Sequence, residues 1–327
     1  MRSVFKRLLA ATLLAGGMAG ASANVSYSGI TIFGDSLSDT GNIFLATGGT
    51  LPTAPYFAGR FSDGAIWTDV LAGGLGFSAV PSLMGGQNYA FGGARTGSSD
   101  SPPGLLAQTA GIWAPSVAGA ADPNRLYVLV GGGNDMRDAR TAFQTNSAID
   151  QAGRQAAAEL AAFQLTQSLG VLAANGAHTV LIGNLPDLGR TPEAVGLGLV
   201  AASTDATNRF NALMPTVIAA GEAMGLSMRF IDLAGVANSI FLDASLNGGA
   251  TYGITNVSTP CGTFQYSIGI ACSTSAFSDA LHPSARAHQL MGEAAMRVVA
   301  VPEPESYALM AAGLMVVVWR LRRRAAV

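Results

Sequence analysis

The chain has 327 residues, 49% hydrophobic and only 12% charged, enough for a sizeable core in one large domain or two small ones, with no polar low-complexity block that would favour disorder. Between residues 24 and 301 it carries eleven arginines against eighteen carboxylates, a net charge of −7, and no lysine; the single lysine of the chain is Lys6. Such a domain presents no basic surface to nucleic acid, and without lysine it cannot run Schiff-base, Ser–Lys or P-loop chemistry.

At the N-terminus, Arg2, Lys6 and Arg7 precede the apolar run Leu8 to Ala19, and Ala21-Ser22-Ala23 then offers a small-x-small cleavage site. This is the pattern of a secretory signal peptide over residues 1–23, cut after Ala23; a membrane anchor is the alternative, for which the run is short. The stretch Gly29 to Phe33 predicts a first buried strand. It breaks into Gly34-Asp35-Ser36-Leu37-Ser38-Asp39. Small and acidic residues there can cap a helix, or they can display a nucleophilic serine at the strand's carboxyl end. In Asn88-Tyr89-Ala90-Phe91-Gly92-Gly93-Ala94-Arg95 the glycines let backbone N–H groups approach a ligand closely.

Leu126 to Val130 predicts a second strand, ending in Gly131-Gly132-Gly133-Asn134-Asp135. A helix over Gln151 to Ala174 follows, rich in good helix formers. Thr179 to Ile182 is a third strand, ending in Gly183-Asn184-Leu185-Pro186-Asp187. A helix over Ala206 to Met224 and a fourth buried strand, Met228 to Ile231, come next. Ala234 to Ser278, rich in Gly, Ser, Thr and Asn, reads as a long surface excursion of the kind that carries function. It holds Cys261 and Cys272, which in an exported chain imply a disulfide closing a short loop; two free core thiols are the alternative. Ser278-Asp279-Ala280-Leu281-His282-Pro283 then leads into a last helix, Ser284 to Val299. His178, His282, His288 and the cysteines show no zinc-ligand spacing, so no metal site is expected.

Strands alternating with helices predict the α/β class, a parallel sheet covered on both faces. The polar clusters then lie side by side at one edge of the sheet, where Ser36 and Asn134 can be neighbours despite their separation in sequence. A serine hydroxyl needs a base to take its proton, and an imidazole works best when a carboxylate fixes its tautomer. Asp279 and His282, three apart, can meet within one turn. Attack on an ester carbonyl develops an oxyanion, for which the N–H of Ser36, the N–H of Gly93 and the side-chain amide of Asn134 are candidate donors. Asp35, Asp39 and Asp135 are expected to brace the loops.

These blocks resemble the GDSL esterase/lipase family, also called SGNH hydrolases. Gly34 to Asn42 is similar to its first block, Asn88 to Ala94 to its second, Gly132-Gly133-Asn134-Asp135 to its third and Asp279 to Pro283 to its fifth. Gly59-Arg60-Phe61-Ser62-Asp63-Gly64 with Trp67 resembles the lipase-like branch. The match spans about residues 30 to 300. It implies a flavodoxin-like three-layer α/β/α sandwich with a central parallel sheet, and hydrolysis of an ester substrate through an acyl-enzyme without a cofactor. In that scheme Ser36 is the nucleophile, His282 base and then acid, Asp279 the orienting carboxylate, and Ser36, Gly93 and Asn134 the oxyanion hole. The outer-membrane β-barrel of some lipase-like relatives is missing, and the C-terminal tail is expected to take its place.

That tail runs from Val301-Pro302-Glu303-Pro304-Glu305 through the apolar stretch Tyr307 to Trp319 into Arg320-Leu321-Arg322-Arg323-Arg324. The order resembles a PEP-CTERM sorting tail over residues 302–327, processed by an exosortase-type enzyme in bacteria that secrete exopolysaccharide. It implies export to the cell surface or extracellular matrix with a transient hold in the inner membrane, a plain tail anchor being the alternative. The expected layout is a leader (1–23), a hydrolase domain (24–301) and this tail. The leading functional reading is a secreted serine esterase or lipase. Its rivals are a carbohydrate acetylesterase or acyltransferase acting on exopolysaccharide or lipid, and a non-catalytic surface protein that binds exopolysaccharide.

Overall fold

The computed structural model describes residues 27–53, 55–99, 101–261, 269–300, 313 and 315. The expected leader and all but two residues of the expected tail lie outside them. Four five-residue strands, β1 (Ile30–Gly34), β2 (Leu126–Val130), β3 (Thr179–Gly183) and β4 (Ser227–Ile231), form one parallel sheet in the order β1-β2-β3-β4. The register sets Phe33 beside Leu129 and Leu129 beside Ile182. Each observed strand matches its expected span to within a residue. β1 to β3 are buried along their whole length, but β4 forms the sheet's edge and buries only Ile231. This corrects the expectation of a fourth buried strand: the apolar run alone does not distinguish an edge strand from a central one.

Residues 87–91 run along the outer edge of β1. Ile32 N–H donates to Gln87 O at 2.9 Å, Tyr89 N–H to Ile32 O at 2.7 Å and Phe91 N–H to Gly34 O at 3.2 Å, a parallel pairing. The chain therefore lays one segment outside β1 and then crosses to β2 on the other side. The strand order reverses at the carboxyl ends of β1 and β2, the place where open α/β sheets bind ligands.

Nine α-helices cover the sheet: α1 (Asn42–Ala46), α2 (Trp67–Gly74), α3 (Ala114–Val117), α4 (Gly133–Ala142), α5 (Ala148–Ala174), α6 (Pro192–Gly196), α7 (Val200–Ala223), α8 (Leu233–Asn247) and α9 (Ala285–Val299), all counted among the described residues. The two-residue periodicity of the strands divides the core. Phe33, Leu129, Val180 and Ile182 face one side, packed with Leu165 and Leu169 of α5 and Phe210 and Met214 of α7. Ile32, Val128 and Leu181 alternate to the other side and are equally buried. α2 and α9 contribute nothing to the first cluster. They pack on each other so closely that a Cβ on Gly292 would lie 2.5 Å from Val70. The result is the expected three-layer α/β/α sandwich.

A second expectation is overturned. The segment Ala234 to Ser278 is not a loop throughout, because its first part is helix α8. The Asp232 side chain caps it by accepting from Gly235 N–H at 2.8 Å, and Gly248 ends it in the left-handed conformation. The Gly, Ser and Asn content that reads as loop is concentrated at and beyond this C-terminus. Cys261 and Cys272 are bonded to each other, Cys272 opening a short 3-10 helix (Cys272–Thr274).

Candidate active site

The loop after β1 is wound as a tight turn, with Ser38 and Asp39 N–H groups both donating to Asp35 O. Asp39, fully buried, holds this turn in place. Its carboxylate accepts from the N–H groups of Gly41 (2.7 Å), Asn42 (2.6 Å), Ile43 (3.1 Å) and Gly92 (2.8 Å). Asn42 and Asn88 add crossed amide bonds, Asn42 donating to Asn88 O and Ala90 O, and Asn88 to Ser38 O and Thr40 Oγ1. Ser36 is thus fixed against the segment that carries Gly92 and Gly93. Two glycines are required there. A Cβ at Gly92 would lie 2.3 Å from the Phe61 ring, and Gly93 has φ +82°, a left-handed conformation that side chains disfavour.

Asp35 accepts from Leu37 N–H at 3.0 Å. Burial pushes its carboxyl up to about 6, against the pull of that N–H and of His282 and Arg137. Asp135 ties the β2 loop to the same segment, accepting from Thr96 N–H and from its hydroxyl at 2.8 Å.

Asn134 sits in the first turn of α4. Its amide Nδ2 donates to Ala94 O at 2.9 Å and its Oδ1 accepts from Arg137 at 3.2 Å. Because a guanidinium can only donate, Arg137 fixes which end of the amide is oxygen. One amide hydrogen remains for a ligand. Arg137 is held in turn by Glu193 of α6 at 2.5 Å, and the same carboxylate bonds the buried Arg140. Burial would raise Glu193, yet the two arginines hold it below the usual carboxylate range.

His282 and Asp279 arrive on the loop before α9. Asp279 Oδ1 accepts from the N–H groups of Leu281 (2.7 Å) and His282 (2.6 Å), a turn closed on its own side chain. Its Oδ2 lies 2.6 Å from His282 Nδ1 and accepts from the Tyr56 hydroxyl at 2.5 Å. Although burial would raise it, the His282 imidazole and these donors hold the Asp279 carboxyl well below its usual range. A carboxylate at Nδ1 places the neutral imidazole's proton there and leaves Nε2 as an acceptor. Nε2 is 2.9 Å from Ser36 Oγ, 246 residues away in sequence. An imidazole so oriented can take a proton from the serine.

Ser36, Asn134 and His282 line one pocket of about 900 Å³, its open mouth included. The rest of the lining is largely apolar: Leu185 and Leu188 after β3, Val236, Ile240 and Phe241 of α8, and Phe277 before the His282 loop. Gly93 does not line it. It lies instead in the turn hydrogen-bonded to both Gly34 and Asn134, and among the described residues no acceptor takes its N–H or that of Ser36. Asp63, Cys261 and Cys272 come within 4.8 Å of one another, but both sulfurs are spent in the disulfide.

Sequence reasoning missed Tyr56 and Arg137, and it read the pocket-lining segment of α8 as loop. For Arg137 a signal existed, its i+3 spacing from Asn134 on a helix. For Tyr56 none did.

A family model described as GDSL-like lipase/acylhydrolase matches residues 30–295, and one described as the PEP-CTERM protein-sorting motif matches residues 300–324. A phosphatidylcholine-sterol acyltransferase of Aeromonas hydrophila is 30% identical over 205 residues, 58% of this chain and 53% of that protein. Esterase EstA of Pseudomonas aeruginosa is 28% identical over 355 residues, 92% of this chain and 51% of that protein. The chain thus spans about half the length of these curated relatives. A solved structure of a lipolytic protein of the G-D-S-L family from Veillonella parvula superposes with a TM-score of 0.45 at 14% identity, over 82% of this chain and 96% of that one. Among the described residues, no helix is long and apolar enough to cross a membrane.

Proposed function

Because the chain belongs to the GDSL-like lipase/acylhydrolase family, we propose that it is an exported serine hydrolase of carboxylic esters. The observation that carries this reading is the unbroken line from Ser36 Oγ through the His282 ring to Asp279, at 2.9 and 2.6 Å, opening into an apolar pocket.

In this reading His282 Nε2 takes the Ser36 proton as Oγ attacks the ester carbonyl. The carbonyl oxygen becomes an oxyanion, met by the N–H groups of Ser36 and Gly93 and by the free hydrogen of the Asn134 amide. His282 returns the proton to the departing alkoxide, which leaves as the alcohol. The acyl group remains on Ser36 Oγ. Water then repeats the sequence with His282 as base, releasing the acid and restoring the serine. Asp279 stays ionised throughout, in keeping with its lowered pKa, and faces the imidazolium formed at each step.

The apolar lining from α8 favours a fatty-acyl ester over an acetylated glycan. Asp35 and Asp135 support the loops and do not react. Residues 1–23 are the export leader and 24–301 the hydrolase domain. The sorting motif hands the tail to an exosortase-type enzyme, placing the protein at the cell surface or in the exopolysaccharide matrix.

Labelling by a fluorophosphonate, together with turnover of p-nitrophenyl esters of graded chain length, tests the core of this proposal. The wild type should label and turn over. Ser36→Ala should do neither beyond a residual of at most about 10³-fold over water, with its fold intact. Full turnover by a folded Ser36→Ala protein would overturn the assignment.

A further inference from the structure

The segment from Tyr56 to Asp63 plays no part in the chemistry above, yet it grips the His282 loop at several points. Asp63 Oδ1 accepts from Ser278 Oγ at 2.7 Å and from Ala285 N–H, at the start of α9, at 2.8 Å. Ser62 Oγ donates to Pro283 O at 3.1 Å. The Phe61 ring lies over the His282 imidazole, centroids 5.0 Å apart, and the Tyr56 ring meets Phe61 edge-on at 5.9 Å. The Tyr56 hydroxyl then reaches Asp279 Oδ2, the oxygen that faces the imidazole.

We propose that Tyr56 is a positioning residue that sets the basicity of His282 through Asp279. This rests on the esterase reading of Ser36, His282 and Asp279. The four donors on Asp279 divide evenly: two backbone N–H groups hold Oδ1, while the phenol and the imidazole share Oδ2. The Oδ1 pair fixes where the carboxylate sits. On Oδ2 the phenol draws on the same lone-pair charge that stabilises the imidazolium, so removing it should strengthen the Asp279–His282 pairing.

Other charged and titratable groups surround the pair: Asp35 after β1, Asp63 on the clamp, Arg137 of α4, Asp187 and Arg190 after β3, Glu193 of α6 and His288 of α9. None of them hydrogen-bonds the Asp279 carboxylate or the His282 ring among the described residues, so beyond Ser36, which meets the ring, Tyr56 is the side chain bonded to the pair directly.

The test is the pH profile of kcat/KM for a short p-nitrophenyl ester, whose acid limb reports His282 in the free enzyme. Tyr56→Phe keeps the ring against Phe61 and removes the donor to Asp279. The acid limb should move up by roughly half to one pH unit, with kcat down roughly three- to tenfold at the optimum and KM within about twofold. Tyr56→3-fluorotyrosine, a stronger donor of nearly the same shape, should move the limb down. In an Asp279→Asn background, Tyr56→Phe should cause no further shift. An acid limb that stays in place, an equal loss in both backgrounds, or a rise confined to KM would each overturn the proposal. Retained turnover in Ser36→Ala would instead strike at the esterase reading itself.

Discussion

Replacing Asp35 by Asn removes one charge from beside the nucleophile without changing the shape of the side chain. Asp35 is 3% exposed, and the Leu37 N–H that its carboxylate accepts finds an equivalent acceptor in the carbonyl oxygen of the new amide. Folding raises the carboxyl from an ordinary value of 3.8 to about 6 because burial outweighs its favourable contacts. The folded state therefore holds the proton more tightly than the unfolded one. The associated stability is complete below pH 3.8 and is lost as pH rises through 6. A shift of about 2 units at 1.36 kcal/mol each makes the ionised wild type about 3 kcal/mol less stable at pH 8 than its protonated form. The amide in the Asp35→Asn variant does not ionise and escapes this loss. Urea unfolding of both proteins at pH 4 and pH 8 isolates the effect, since groups common to the two, His288 among them, cancel in the difference. The repulsion from Asp135 is among the causes that raise the Asp35 carboxyl, so it is already part of this difference. The stability of Asp35→Asn relative to wild type should therefore grow by about 2–3 kcal/mol from pH 4 to pH 8. A difference that is constant across that range would refute the argument that a buried, incompletely compensated carboxylate sits beside Ser36.

In the proposed mechanism the free amide hydrogen of Asn134 meets only the oxyanion, so Asn134→Ala should lower kcat by roughly 10²–10³-fold with little change in KM; a variant with mainly raised KM would place Asn134 in substrate binding instead. In a host with an exosortase, mass spectrometry should place the mature C-terminus near Pro302, while intact protein still carrying Arg324 only in the inner-membrane fraction would favour a plain tail anchor.

The sheet was legible because β1 to β3 are buried on both faces, and such strands appear in sequence as unbroken apolar runs. The parallel order then placed the loops after β1 and β2 together, so Ser36 and Asn134 could be named as neighbours from the polar clusters alone. Helix α8 was not legible. Its apolar residues are split between a buried position such as Ile240 and exposed ones such as Leu242 and Leu246, and its polar ones include Asp243, buried to accept from the Thr251 and Tyr252 N–H groups. Leu233, Val236 and Ile240 do follow helical spacing, and Val236 and Ile240 pack with Ile254 and Phe277, but the exposed Leu242 and Leu246 and the Gly, Ser and Asn residues between them blur that stripe in the sequence. The segment 87–91 escaped for a related reason: it pairs along β1 by main-chain bonds, and main-chain bonds leave no residue signature.

The loop from Tyr56 to Asp63 marks the deeper boundary between sequence and structure. Its glycines and Phe61 are readable as a motif, but a motif states only which residues occur together. What those residues do depends on partners more than 200 positions away: Tyr56 on Asp279, Asp63 on Ser278 and Ala285, Phe61 on His282. Such contacts carry no periodicity and obey no spacing rule. They exist because the reversal in strand order between residues 87–91 and β2 sets the Ser36 turn at a crevice, which the chain borders from both sides. Ser36 and Asn134 come from strand ends, which the sheet positions by itself. His282 and Asp279 come from a loop outside the sheet, which needs a separate brace. That division explains why the strand-end residues stood out as polar clusters, while the tyrosine that completes the Asp279 hydrogen-bond set could be recognised only once the fold brought it there.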